Sequence, residues 1–219
     1  YENQWNGSIA IIVWGYKDKL NYGDFSCIVQ SINNEENVFI TSYNGNEKDI
    51  TIPNEINGLV VKNVSLSQNK IIEKIILPDT IEEICDSAFA NCSSLKEITL
   101  SNKINVIGVN AFGGCESIEY INLPNNINEI NYSAFAYCTS LKNINLSNCK
   151  KIGSLAFANC TSLKSIIIPE SVSEIGLGIF YDCTSLETIN FVAESLSTGW
   201  EWVFKYGCNA KIVLGYKEQ

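Results

Sequence analysis

The chain has 219 residues and a formal charge of −9, and lysine is its only strong cation because no arginine occurs. An acidic chain without arginine lacks the basic stripe and the bidentate contacts that nucleic acid demands, and lacks a polybasic membrane anchor as well. Histidine is absent too, which removes the side chain most used for proton transfer near neutral pH and the commonest metal ligand.

The first segment, residues 1–23, contains the longest apolar stretch, Ile9 to Trp14, far too short to cross a bilayer. It has no initiator methionine and no basic-then-apolar leader, so the sequence is expected to be a mature form or a piece of a longer chain. Gly7, Ala10, Ile12, Val13, Gly15, Tyr16, Lys17 and Asp18 match Gly207, Ala210, Ile212, Val213, Gly215, Tyr216, Lys217 and Glu218, each 200 residues later. Residues 1–23 therefore read as the end of a preceding module in a tandem protein. Residues 24–60 read as a strand-rich cap and opening repeat, with Phe25, Ile28, Val38, Phe39, Ile40 and Tyr43 expected to seal the first coil.

Residues 61–199 are repetitive. Ala88-Phe89-x-x-Cys92-x-x-Leu95-x-x-Ile98-x-Leu100 returns from Ala111 to Leu123, from Ala134 to Leu146, from Ala156 to Ile168, and, starting with Ile179, through Phe191. The cysteines step by 23, 23, 22 and 23 residues. A second apolar pair lies between these blocks: Ile81 and Ile84, Ile104 and Ile107, Ile127 and Ile130, Val172 and Ile175, with only Ile152 clear in the shortened repeat. Pro78, Pro124 and Pro169 follow the first strand of their coils, where a missing N–H does least harm. One such coil cannot bury its strand and its return path alone. Stacking coils about 4.8 Å apart joins the backbones in a parallel ladder and creates a continuous core. The Leu-x-x-Ile-x-Leu run is the expected strand, and the Ala-Phe pair and the cysteine fill the return side. Residues 200–219 read as a closing segment, with Trp200, Trp202, Phe204 and Tyr206 over the last coil.

The run LPxxIxxIxxxAFxxCxSLxxIxL resembles the BspA-type leucine-rich repeat, a bacterial and protozoan surface subfamily, and residues 40–64 resemble the usual opening of that family. The resemblance spans residues 40–191. Its departures are the shortened repeat around Cys149 and the replacement of Ala by Ile179. It implies a leucine-rich-repeat solenoid with a parallel β-sheet on one face and short turns or helical segments on the return side. It also implies a secreted or cell-surface location and adhesion to host matrix proteins, host cells or other microbes.

Nine cysteines invite a zinc or disulfide reading, but the spacing that zinc sites use is missing. Cys92, Cys115, Cys138, Cys160 and Cys183 share one repeat position and read as small buried hydrophobes. Stacked in the same direction, they rarely offer a disulfide its dihedral angle. Cys27, Cys85, Cys149 and Cys208 fall off this ladder, so any bridge is expected there. Six Asn-x-Ser/Thr matches carry no weight in so asparagine-rich a chain. The abundance of asparagine itself is read as the mark of an AT-rich genome more than of chemistry.

The outward strand positions line up into lanes. Glu73, Lys96, Glu119, Lys142, Lys164 and Glu187 read as a self-neutralising ladder of charges, each opposite pair adding about 0.2–1 kcal/mol. The second lane is Lys74, Glu97, Tyr120, Asn143, Ser165 and Thr188. The third is Ile76, Thr99, Asn122, Asn145, Ile167 and Asn190. These two form the candidate partner-binding face, expected to be an extended concave sheet, with Tyr120 and Ile167 as anchors. The expected partner is a host matrix or cell-surface protein or a glycan, engaged by a monomeric module with no cofactor, no metal, no catalytic residues and no membrane insertion. A plain solvated face, in a structural spacer carrying another domain, is the alternative.

Overall fold

The repeat translates directly into a coil. In the computed structural model, which describes residues 19–32, 34–146, 148–197, 200, 204 and 207–217, the chain winds as a three-sided solenoid closed at its start by a small sheet. The matches at residues 7–18, and the cap positions Trp202 and Tyr206, lie outside the described residues.

The cap is built from β1 (Lys19–Tyr22), β2 (Phe25–Ile32), β3 (Glu35–Tyr43), β5 (Glu55–Ile56) and β6 (Leu59–Val64), in the order β1-β2-β3-β6-β5. β1 pairs antiparallel with β2, so this sheet begins upstream of the boundary expected at residue 24. The β5–β6 hairpin turns on Asn57-Gly58, both with positive φ, 53° and 80°, as a two-residue loop that follows strand twist requires. Val38 and Ile40 are buried as expected, and the rings of Phe25 and Tyr43 lie 5.2 Å apart. On β2, however, Cys27 and Val29 face the core, in place of Ile28. They pair with Ile40 and Val38, and strand alternation puts those four on one face.

The first side of the solenoid carries β4 (Asp49–Thr51), β7 (Lys74–Ile76), β8 (Glu97–Thr99), β10 (Tyr120–Ile121), β12 (Asn143–Ile144), β14 (Ser165–Ile168), β16 (Thr188–Phe191) and β17 (Lys211–Val213). All pairings along it are parallel, with Ile50, Ile75 and Ile98 in register, Ile121 with Ile144, and Ile166 with Ile189 and Ile212. The ladder is divided into three sheets, with breaks between β8 and β10 and between β12 and β14. The second side carries β9 (Val106–Ile107), β11 (Glu129–Ile130), β13 (Lys151–Ile152) and β15 (Glu174–Ile175), each ending on the later residue of the second apolar pair.

The return side consists of successive turns. Between residues 61 and 197 the described residues contain no helix, so of the two return paths the resemblance implied, it is the short turns that form. Their amides bind the next coil: Phe89 N–H donates to the Ala111 carbonyl, Phe112 to Ala134, Phe135 to Ala156 and Phe157 to Ile179, at 2.8–2.9 Å. Inside, Phe89, Phe112, Phe135, Phe157 and Phe180 stack face to face with centroids 5.2–5.9 Å apart, and all are buried. Full burial of each contributes about 1.5–3 kcal/mol.

Each coil places two residues in the left-handed region on this side. One precedes the Ala-Phe pair (Ser87, Asn110, Ser133, Leu155, Gly178); the other precedes the cysteine (Asn91, Gly114, Tyr137, Asn159, Asp182). A Cβ costs about 1–2 kcal/mol there, and glycine, asparagine and aspartate are tolerated best. Asparagine at Asn57, Asn91, Asn110 and Asn159 suits this conformation, a local role that its abundance alone did not reveal. Glycine has a separate use at Gly153 and Gly176, where the chain passes tightly over the preceding coil. A Cβ on Gly176 would stand 2.1 Å from the Ser154 backbone nitrogen.

All nine cysteines are free thiols. Cys92, Cys115, Cys138, Cys160 and Cys183 do more than fill space: each Sγ donates to a backbone carbonyl one coil earlier, at 3.0–3.2 Å. For the last four the acceptor is the phenylalanine carbonyl. Burial pushes the Cys92 thiol up to about 11 and the Cys183 thiol up to about 12, and holds the three between them well above the ordinary range.

Candidate interaction face

The strand side presents most of the expected lanes outward. Glu97, Thr99, Tyr120, Asn122, Asn143, Asn145 and Ser165 are exposed, and so is Ile76; Lys74, Ile167 and Thr188 are half-buried. Asn190 is the exception. It is only 9% exposed, with its Nδ2 donating to Thr188 Oγ1 at 3.4 Å, so it does not belong to an outward lane. β17 pairs with β16 alongside it, Asn190 facing Val213.

The charged lane neutralises itself over its first four members, where the charges alternate. Glu73 takes Lys48 at 2.6 Å and Lys96 at 2.5 Å, and Lys142 reaches Glu119 at 2.6 Å. In the adjoining lane Lys74 meets Glu97 at 2.8 Å. The hydrogen bonds from Lys48 and then Lys96 hold the Glu73 carboxyl down at about 2. Hydrogen bonding to Glu119 raises Lys142, and hydrogen bonding to Glu97 raises Lys74. These pairs are exposed and screened, so they tidy the surface more than they stabilise the fold.

Tyr120 differs from its neighbours. Its ring is 58% exposed, and Lys142 Nζ sits 5.8 Å from its centroid, within cation–π range. Beside it, where the ladder breaks between β8 and β10, lies a cleft of about 330 Å³ lined by Glu97, Thr99, Tyr120 and Asn122 and floored by Leu100 and Leu123. Four residues picked out by lane alignment therefore meet at one concavity. Ile167, the second expected anchor, lies outside it.

Lane alignment on the strands missed a second aromatic concentration. On the turn side, Tyr132 and Tyr137 are 51% and 58% exposed and Leu177 is 66% exposed. The signal was present in the repeat: Tyr137 stands where Asn91 and Asn159 stand, and Tyr181 where Ala136 and Ala158 stand.

A parallel ladder on one side, a short-stranded second side, a turn side closed by stacked phenylalanines, and an open polar strand face define a leucine-rich-repeat solenoid. The chain belongs to the BspA-type family within that class: six copies of the BspA type leucine rich repeat region match residues 61–187 and 140–214. The T. pallidum leucine rich repeat protein TpLRR is similar over 91% of this chain and 83% of its own, with 28% identity and a TM-score of 0.62. The pneumococcal vaccine antigen PcpA is similar over 80% of this chain, with 23% identity and a TM-score of 0.67. The chain spans half of that protein's length, and at such identity the likeness concerns the fold. No curated protein matches the chain.

Proposed function

We propose that this chain is a non-catalytic interaction module of a secreted or cell-surface protein, and that its strand side adheres to a host matrix or cell-surface protein. The observation that carries this reading is Tyr120, an exposed aromatic beside a cleft, on a scaffold whose core holds it rigidly. Aromatic side chains at the centre of a rigid patch are where binding energy concentrates. Family membership supports a surface role, and likeness to the pneumococcal vaccine antigen PcpA fits display outside the cell. Affinity would come from many weak contacts along the lanes, multiplied by tandem modules. The test is surface plasmon resonance against immobilised extracellular-matrix proteins and receptor ectodomains. Tyr120→Ala is expected to weaken the partner found by tenfold or more, about 1.4 kcal/mol. Unchanged binding by Tyr120→Ala and Asn122→Ala would remove the strand face from the proposal.

A second reading has its own support. The ion pairs of Glu73 with Lys48 and Lys96, and of Glu119 with Lys142, leave much of the face satisfied, as a structural spacer that holds another domain away from the envelope would require. Absence of binding to any matrix protein or receptor would favour the spacer.

A further inference from the structure

We propose that the turn side carries a second binding site, a cleft across successive coils that takes a neutral glycan through Tyr132, Tyr137 and Tyr181. The cleft encloses about 400 Å³ and shares no residue with the one at Tyr120. It goes beyond the strand-face reading and stands without it.

The first support is that local structure does not select the residues found there. Tyr137 and Leu155 occupy the two left-handed positions of adjacent coils, at φ 60° and 57°. The equivalent positions elsewhere hold serine, asparagine, aspartate or glycine. Bulky side chains at positive φ are conformational outliers, and such outliers gather where function holds them. Here both line the same cleft.

The second support is preorganisation. The Tyr181 ring lies against the closing segment at Gly207, where a Cβ would stand 2.4 Å from the ring's Cδ2. The Asp182 amide donates to the Gly207 carbonyl at 2.8 Å. One wall of the cleft is therefore set before any ligand arrives, which lowers the entropy cost of binding.

The third support is chemistry. The lining holds tyrosine, serine and asparagine side chains and no carboxylate or ammonium group, on a chain of charge −9. An anion would be repelled by the whole molecule, and a cation finds no counter-charge in the cleft. A pyranose suits it: its C–H face lies on a tyrosine ring, and its hydroxyls meet Ser133 and Asn159. The step from coil to coil, about 4.8 Å, is close to the length of one pyranose, so a linear oligosaccharide along the axis would meet one coil per sugar.

The test is calorimetric titration of the whole chain with two neutral probes, cellohexaose and the β-1,4-linked N-acetylglucosamine hexamer, beside thermal unfolding. At least one is expected to bind saturably, and Tyr137→Asn to weaken it about tenfold. Asparagine is the residue of the next coil at that position, Asn159, so this variant is expected to unfold at the same or a higher temperature, which separates lost binding from lost fold. Tyr120→Ala is expected to leave the glycan untouched, which separates this site from the strand face. Failure of both probes to bind, binding by Tyr137→Asn equal to wild type, or binding abolished by Tyr120→Ala would each overturn the proposal.

Discussion

The thiol of Cys160 donates to the carbonyl of Phe135, one coil earlier, at 3.2 Å, and the amide of Cys138 donates to the same oxygen at the same distance. The carbonyls of Phe89, Phe112, Phe135 and Phe157 thus use both lone pairs, one within their own coil and one across coils. Cys138→Ala removes the equivalent thiol bond to Phe112 and opens a small void. The expected loss is about 1–2 kcal/mol of unfolding free energy, measured in urea. Cys138→Ser keeps a donor and should lose less. Equal losses would show that the sulfur acts by volume alone.

These thiols also make the fold sensitive to alkali. Their folded values lie above the ordinary 9.0, at about 11 for Cys92 and about 12 for Cys183, so the unfolded chain releases its protons first as pH rises. Their contribution is complete below pH 9 and is lost between 9 and the folded values, at about 1 kcal/mol per buried thiol per pH unit. Melting temperature should be insensitive to the thiols at pH 7–8 and fall steeply above pH 9. A Cys→Ser change at any one ladder position should blunt the fall.

Glu73 works at the other end of the scale. With its carboxyl held at about 2, its stabilising influence is present above the unfolded value of about 4.5 and fades as pH drops toward 2. Carbon-detected NMR titration should place its midpoint near 2. Lys96→Ala or Lys48→Ala should move the midpoint up, and added salt should do so partially. A wild-type midpoint near 4.5 would contradict the two-lysine clamp.

Core and backbone tolerance should differ sharply by position. Phe112→Ala, in the middle of the stack between rings 5.4 and 5.2 Å away, is expected to cost about 3–5 kcal/mol. Gly176→Ala, where a Cβ meets backbone at 2.1 Å, is expected to cost about 1–3 kcal/mol through overpacking. Leu155→Asn replaces a branched side chain at φ 57° and should gain up to about 1 kcal/mol. Differential scanning calorimetry on the three variants ranks them.

Much of the fold was legible because a period of 23 residues maps onto a coil without any further rule. Phe89, Phe112, Phe135 and Phe157 recur, and they stack; Glu73 and Lys96 align, and they pair. The site was half legible. Lane counting brought Glu97, Thr99, Tyr120 and Asn122 together, but the cleft between them leaves no trace in spacing, since the step from Ile98 to Ile121 is an ordinary 23. The other ladder break, between β12 and β14, does coincide with the shortened repeat. Asn190 was misplaced because periodicity fixes the direction of a side chain and says nothing of what later covers it. The roles of asparagine and the turn-side tyrosines were hidden for a different reason. They depend on backbone handedness, which hydropathy does not record.

The backbone hydrogen bonds between coils on the turn side all point one way, each coil donating to the next, down to Asp182 on Gly207. The solenoid therefore has a direction of growth. Excising one whole period, such as residues 112–134, would leave every remaining donor facing an acceptor, because the successor slides into an equivalent place. Clipping the molecule before Gly207 would strand the terminal amides with nothing ahead of them. A chain of this pattern can therefore lengthen or shorten by whole periods inside the stack while its final piece stays the same.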